Sequence, residues 1–141
     1  MRSVHIYFAL LFFTVLSPVS AKVYELGPNF SMEGTTDGTD IVITVTFPNG
    51  YWLALGFGGA TMFNTNMVTF EYMYEMATAT DMWSVGYRYP LWVENMWTVV
   101  STEFPGDDLV RMTVKRKLVS NLPQHYSFPL NEEIDFIWAY N

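Results

Sequence analysis

Along most of this chain apolar and polar positions alternate with a period of two. Ile41, Ile43, Val45 and Phe47 fall on one side, and Val42, Thr44 and Thr46 on the other. Val110, Met112 and Val114 alternate with Arg111, Thr113 and Lys115, and Ile134, Phe136, Trp138 and Tyr140 alternate with Asp135, Ile137 and Ala139. Successive side chains leave opposite faces of a pleated strand, so this period predicts half-buried β-strands. Further strands are expected at 51–57, 67–75, 82–89 and 96–102, where β-branched and aromatic residues concentrate. Turn chemistry separates them: Asp37-Gly38, Pro48-Asn49-Gly50, Gly58-Gly59 and Pro105-Gly106-Asp107-Asp108. Six to eight short strands without a helical stripe predict a two-sheet, all-β sandwich or barrel. Trp52, Phe57, Trp97, Val114 and Trp138 are its expected core. No internal repeat or linker interrupts it.

One stretch breaks the alternation. Residues 5–16 form an apolar run behind Arg2, ended by Pro18 and followed by Val19-Ser20-Ala21. A short apolar core with a small-residue exit reads as a signal peptide, residues 1–21, cleaved after Ala21. The expected domain is then 22–141, secreted or at the cell surface, with membrane contact only through this segment if it stays uncleaved. Asn29-Phe30-Ser31 is an N-glycosylation sequon, which makes Asn29 a candidate glycosylation site.

Charge and composition narrow the chemistry. A net charge of −7 disfavours nucleic acid, whose binding needs a basic face to neutralise phosphates. The basic cluster at 111–117 alternates with apolar residues, as a solvated strand face does. With no cysteine, thiol catalysis, Fe–S clusters and Cys-based zinc sites are excluded. His5 and His125 are the two histidines, and His125 sits in Pro123-Gln124-His125-Tyr126, away from any nucleophile-elbow serine. Asp107-Asp108 and Glu132-Glu133 are paired carboxylates in expected turns, where solvation explains them. Gly56-Phe57-Gly58-Gly59 follows a strand and leads into no helix, so it is no phosphate cradle. Stand-alone catalysis is not expected.

The segment from Asn49 through Gly56-Phe57-Gly58-Gly59-Ala60-Thr61-Met62 to Asn66-Met67-Val68 resembles the signature of the DOMON family. In that signature an aromatic strand ends in a Gly-Phe-Gly turn, followed by a Met and a second apolar strand. Three later stretches resemble the family in the same order: Asp81-Met82-Trp83-Ser84 with Gly86 and Pro90, Val114-Lys115-Arg116-Lys117-Leu118, and Ile137-Trp138-Ala139-Tyr140-Asn141. The resemblance implies an immunoglobulin-like, two-sheet antiparallel β-sandwich that binds haem b or carbohydrate. In haem-binding members, which act in electron transfer, the Met after the glycine turn and a later His ligate the iron. Met62 stands at the Met position, and Met/His ligation raises a haem potential.

Two departures shape the expectations. The family's His follows the Trp-Ala-Tyr strand, and here the sequence stops at Asn141, so the last strand or strands are expected to be lacking. That would leave an unpaired sheet edge at 134–140 for another protein to pair with, the alternative being a structural or interaction domain without a small ligand. Asn66 also replaces the family's usual Asp. His125 is then the imidazole left to complete a Met/His pair. Gly58 and Gly59, bare of side chains, are expected to let a flat ligand approach beside Met62. Trp92, in a Pro-flanked loop, is the aromatic most suited to stack on a sugar.

N-terminal sequencing of secreted protein is expected to begin at Lys22. Intact Met1 recovered in a membrane fraction would contradict the signal-peptide reading.

Overall fold

The computed structural model describes residues 3–7 and 22–141, for the first of these segments as backbone only. Of the expected signal segment, Ser3–Tyr7 is therefore described as a strand, and the rest, with the cleavage junction, lies outside the described residues. Among the described residues every regular element is a strand: β1 Ser3–Tyr7, β2 Val23–Gly27, β3 Phe30–Thr36, β4 Asp40–Pro48, β5 Trp52–Phe57, β6 Phe63–Met73, β7 Met76–Val85, β8 Leu91–Trp92, β9 Thr98–Glu103, β10 Leu109–Lys117 and β11 Glu133–Tyr140. They form two antiparallel sheets, one ordered β1-β11-β5-β6-β7-β8 and the other β2-β3-β4-β10-β9. The fold is the expected all-β sandwich.

Alternation places the core between the sheets. Ile41, Ile43, Val45 and Phe47 of β4 and Val110, Met112 and Val114 of β10 are completely buried. Leu53, Leu55 and Phe57 of β5, Val68 and Phe70 of β6, and Ile134, Phe136 and Trp138 of β11 face them. The Trp-Ala-Tyr strand also fastens the sheets at one side. Trp138 Nε1 donates to the Leu26 carbonyl at 2.9 Å, and Tyr140 stacks on Phe30 with ring centroids 4.0 Å apart. A Cβ at Gly27 would sit 2.3 Å from the Tyr140 hydroxyl, so only glycine admits that ring. Burying the Trp138 indole satisfies its N–H as well as its apolar area, as a buried Trp requires.

Four expectations need correction. Trp52 is not in the inter-sheet core: it points to the outer face of β5 and packs there against Ala54, Met67 and Met82. Both faces of β5 are apolar, so alternation could not say which one is inside. The strand expected at 82–89 runs instead over Met76–Val85 and forms a hairpin with β6, Met73 opposite Met76. Its turn is Tyr74-Glu75 at φ 52° and 62°, left-handed positions usually signalled by Asn or Gly. Strands β2 and β3 were not foreseen at all. Finally, the edge expected to be open at 134–140 is paired over Glu133–Ile137 while residues 3–7 are present: Ser3–Tyr7 runs antiparallel along β11, with Val4 opposite Phe136 and Ile6 opposite Ile134, and the expected domain 22–141 alone would lack that partner.

Trp138→Ala is expected to lower unfolding stability by about 3–5 kcal/mol, the cost of emptying a large buried aromatic site. Urea unfolding followed by circular dichroism measures it, and a near-neutral result would contradict the burial of this indole.

Candidate functional site

The outer face of the six-stranded sheet carries an open cavity of about 560 Å³. Strand alternation builds its floor. In β5, β6 and β7 the residues opposite in phase to the core are Trp52 and Ala54, Met67 and Thr69, and Thr80 and Met82, all of which line the cavity. Met67 and Met82 are directly opposite each other across the β6–β7 ladder and are nearly buried. The Thr69 hydroxyl donates to the Met82 sulfur at 3.3 Å. Glu71, Arg88, Tyr89, Pro90 and Trp92 contribute to the wall, with Trp92 67% and Tyr89 75% exposed.

Met62 also lines this cavity. The loop from Gly58 to Met62 is tied to the β7 end: the Met62 carbonyl accepts from the Ser84 hydroxyl and from the Gly86 amide, the latter at 3.0 Å. The Thr65 hydroxyl donates to the Thr61 carbonyl at 2.8 Å and braces the loop from within. Gly86 holds φ 115°, a backbone few other residues adopt, which lets its amide turn back to Met62.

Gly58 and Gly59 are not among the residues that line this cavity. A Cβ at Gly58 would lie 2.2 Å from the Tyr126 ring, and one at Gly59 would lie 3.2 Å from the Thr65 hydroxyl. The bare backbone makes room for the Tyr126 ring and the Thr65 hydroxyl. Gly58 also holds φ 77°, which a side chain would strain.

His125 is likewise absent from the cavity, so Met62 and His125 are not brought together. The His125 side chain is buried, Nδ1 facing the Pro123 carbonyl at 2.8 Å and Nε2 facing the Glu94 carbonyl. With each ring nitrogen set against a backbone carbonyl, neither is turned toward the cavity. Asn29 is exposed in the β2–β3 turn at φ 64°, a conformation asparagine tolerates. The paired acids Asp107-Asp108 and Glu132-Glu133 are exposed.

His125 belongs instead to a buried polar cluster that periodicity did not reveal. Arg116 occupies an inward position of β10 and is 3% exposed, so the solvated-face reading holds for Arg111, Lys115 and Lys117 but fails for Arg116. Its Nη1 lies 3.8 Å from Asp81 Oδ1 with both side chains at zero exposure. Asp81 accepts from Asn66 Nδ2 and Trp97 Nε1, both at 3.2 Å, and from the Met96 amide at 2.8 Å, while His125 Nε2 is 3.8 Å from Oδ2. Arg116 also donates to the Asn66 amide oxygen and the Tyr126 carbonyl, and its guanidinium lies over Trp97 and Phe128 at 5.4 and 5.0 Å. Burial lowers the Arg116 pKa, and the Asp81 charge offsets part of that effect. Burial also raises the pKa of the Tyr126 phenol.

Asn66 explains one departure from the family pattern. Its amide donates to Asp81 and to the Met82 carbonyl, and its oxygen accepts from Arg116 and the Tyr126 amide. An aspartate there would set a second carboxylate against Asp81 and could not donate to it. The amide serves both neighbours.

A two-sheet sandwich with an open outer-face cavity, bordered by a Met-bearing loop, defines a small β-sandwich domain with room for a ligand. The DOMON domain profile matches residues 28–141, and the chain belongs to the DOMON family. Among solved structures, the cytochrome domain of Myriococcum thermophilum cellobiose dehydrogenase shares the fold. The TM-score is 0.55 at 17% identity, over 69% of this chain and 54% of that one, so the match spans about half of that domain. No curated protein matches the sequence.

Arg116→Met is expected to cost about 3–5 kcal/mol, because it leaves Asp81 as an uncompensated buried charge. Asp81→Asn combined with Arg116→Met is expected to cost less than the sum of the two single changes in denaturant unfolding. Strict additivity would show that the pair is not coupled.

Proposed function

We propose that the chain is a secreted or cell-surface DOMON module that binds a flat, largely apolar ring ligand on the outer face of its six-stranded sheet. One observation carries this reading: Trp52, Met62, Met67, Met82 and Trp92 converge on a single cavity whose charged members are Glu71 and Arg88. Aromatic and thioether groups offer a flat, polarizable surface, and a few polar groups can fix orientation, which is the usual composition of a small-molecule site.

Haem b is the ring ligand that the family resemblance brings forward, and this arrangement fits only part of its needs. The Met62 thioether could face an iron, and the apolar floor suits a porphyrin. No histidine is among the cavity residues, and His125 is held elsewhere by two carbonyls. A cytochrome in which Met62 and His125 form the Met/His pair is therefore not supported. Electron transfer by that route would need an imidazole from outside the described residues. Carbohydrate is the second reading, favoured by the exposure of Trp92 and Tyr89 at the rim, where a sugar face could stack.

Titration with haemin is expected to shift the Soret band of the wild-type protein, and Trp52→Ala is expected to weaken the effect by about tenfold, roughly 1.4 kcal/mol. Met62→Leu, which keeps volume and removes sulfur, is expected to change the spectrum if the thioether touches iron, and to leave it unchanged if Met62 only packs. Absence of any Soret change would end the porphyrin reading. Sugar binding that survives Trp52→Ala but is lost in Trp92→Ala would favour the carbohydrate one.

A further inference from the structure

The cavity floor contains an arrangement that a merely apolar surface does not require. Met67 and Met82 are a directly opposed cross-strand pair on the outer sheet face, a position where Cβ atoms stand about 4.5–5.5 Å apart. Two flexible thioethers at that separation can bring both sulfurs to one ion. Met62 enters the same cavity from the β5–β6 loop, its backbone held by Ser84 and Gly86. Trp52 packs against Met67 and Met82.

Several features give this group a chemical preference. Thioethers are soft and neutral, and soft sulfur ligands select Cu(I) over the harder divalent ions. No histidine and no cysteine stands among the cavity residues, so the donors that zinc prefers are missing there. The Thr69 hydroxyl donates to the Met82 sulfur at 3.3 Å, which orients that sulfur while one of its lone pairs remains for a second partner. An indole beside the sulfurs adds a π face, favourable to a monovalent cation. Glu71 supplies a negative charge on the wall against the positive Arg88, so the wall's formal charges cancel before a cation enters.

We propose that Met67, Met82 and Met62 form a thioether site for a single Cu(I) ion, with Trp52 packed beside it. The site shares the cavity of the ring-ligand reading but does not depend on it. Binding involves no redox step: the ion enters and leaves as Cu(I), and no proton is displaced because thioethers carry none.

The test is transfer of Cu(I) from its bicinchoninate complex to the full-length protein under anaerobic, reducing conditions, read by loss of the chelator's colour and by quenching of tryptophan fluorescence. One equivalent is expected to transfer. Met67→Leu and Met82→Leu are each expected to weaken binding on the order of 10- to 100-fold, at or above what loss of an outer-shell partner costs. Met62→Leu is expected to weaken it in the same direction. Met73→Leu, at the exposed tip of the β6–β7 hairpin, serves as the control and is expected to change nothing. Circular dichroism of each variant separates lost binding from lost fold, and X-ray absorption of the copper-loaded protein is expected to show sulfur in the first coordination shell. The proposal is overturned if wild-type protein takes no copper from the chelator. It is also overturned if Met73→Leu weakens binding as much as the floor variants do, or if folded Met67→Leu and Met82→Leu bind as wild type. Because haemin is absent from the assay, these outcomes leave the porphyrin reading to its own titration.

Discussion

Two opposite charges with no access to water, Asp81 on β7 and Arg116 on β10, set the terms for the rest of this sandwich. Neither sheet can tolerate its own member alone, because an unpaired buried ion costs several kcal/mol. The sheets must therefore meet with these two residues in register, and the surrounding groups complete the pairing. Asn66, Trp97, the Met96 amide and the Tyr126 carbonyl each satisfy a remaining donor or acceptor. Two long non-strand segments, 93–97 and 118–132, are anchored by these contacts rather than by a ladder. The cluster also fixes Asn66 on the strand whose next residue, Met67, faces the outer cavity. The position of the cavity floor thus depends on charges buried on the other side of the same sheet.

Strands with one apolar face could be read from the sequence. For β4 and β10, alternation identified both the strand and the face that is buried, since polar residues marked the outside, whereas in β11 it identified the strand but not the burial of Ile137 on the opposite face. The same logic failed where polarity misreports burial. Arg116 sits in an inward phase within a basic run, and no local pattern distinguishes it from Lys115 or Lys117. Trp52 sits on a strand apolar on both faces, so its side could be fixed only by knowing that a cavity, rather than the opposing sheet, covers it. The β6–β7 hairpin was displaced because Tyr74-Glu75 takes the left-handed conformation without the Asn or Gly that usually announces it.

The functional surface was less legible still, for a geometric reason. Its residues come from β5, β6, β7, β8, Ala139 of β11, the loop bearing Met62 and the loop bearing Arg88, Tyr89 and Pro90. Adjacency among them follows from ladder pairing, which sequence spacing does not encode. Met62 was visible through its place in a recurring motif, whereas Met67 and Met82 looked like two of nine methionines until the register set them opposite each other. The glycines of that motif were visible too, but their purpose was not. Gly58 yields space to Tyr126, a residue 68 positions further on whose approach only the fold reveals.

Strand β1 carries a consequence of another kind. The segment that pairs with β11 is drawn from residues 1–21, the stretch read from its sequence as a signal peptide. If a peptidase excises it, one cut changes the number of strands in the sheet as well as the length of the chain. Five residues' worth of ladder partners would be withdrawn from Glu133–Ile137, and the backbone groups exposed there would seek water or a new strand. Molecules with and without this segment would then differ in their tendency to pair through this edge. Tendency to self-associate would become a readout of processing history.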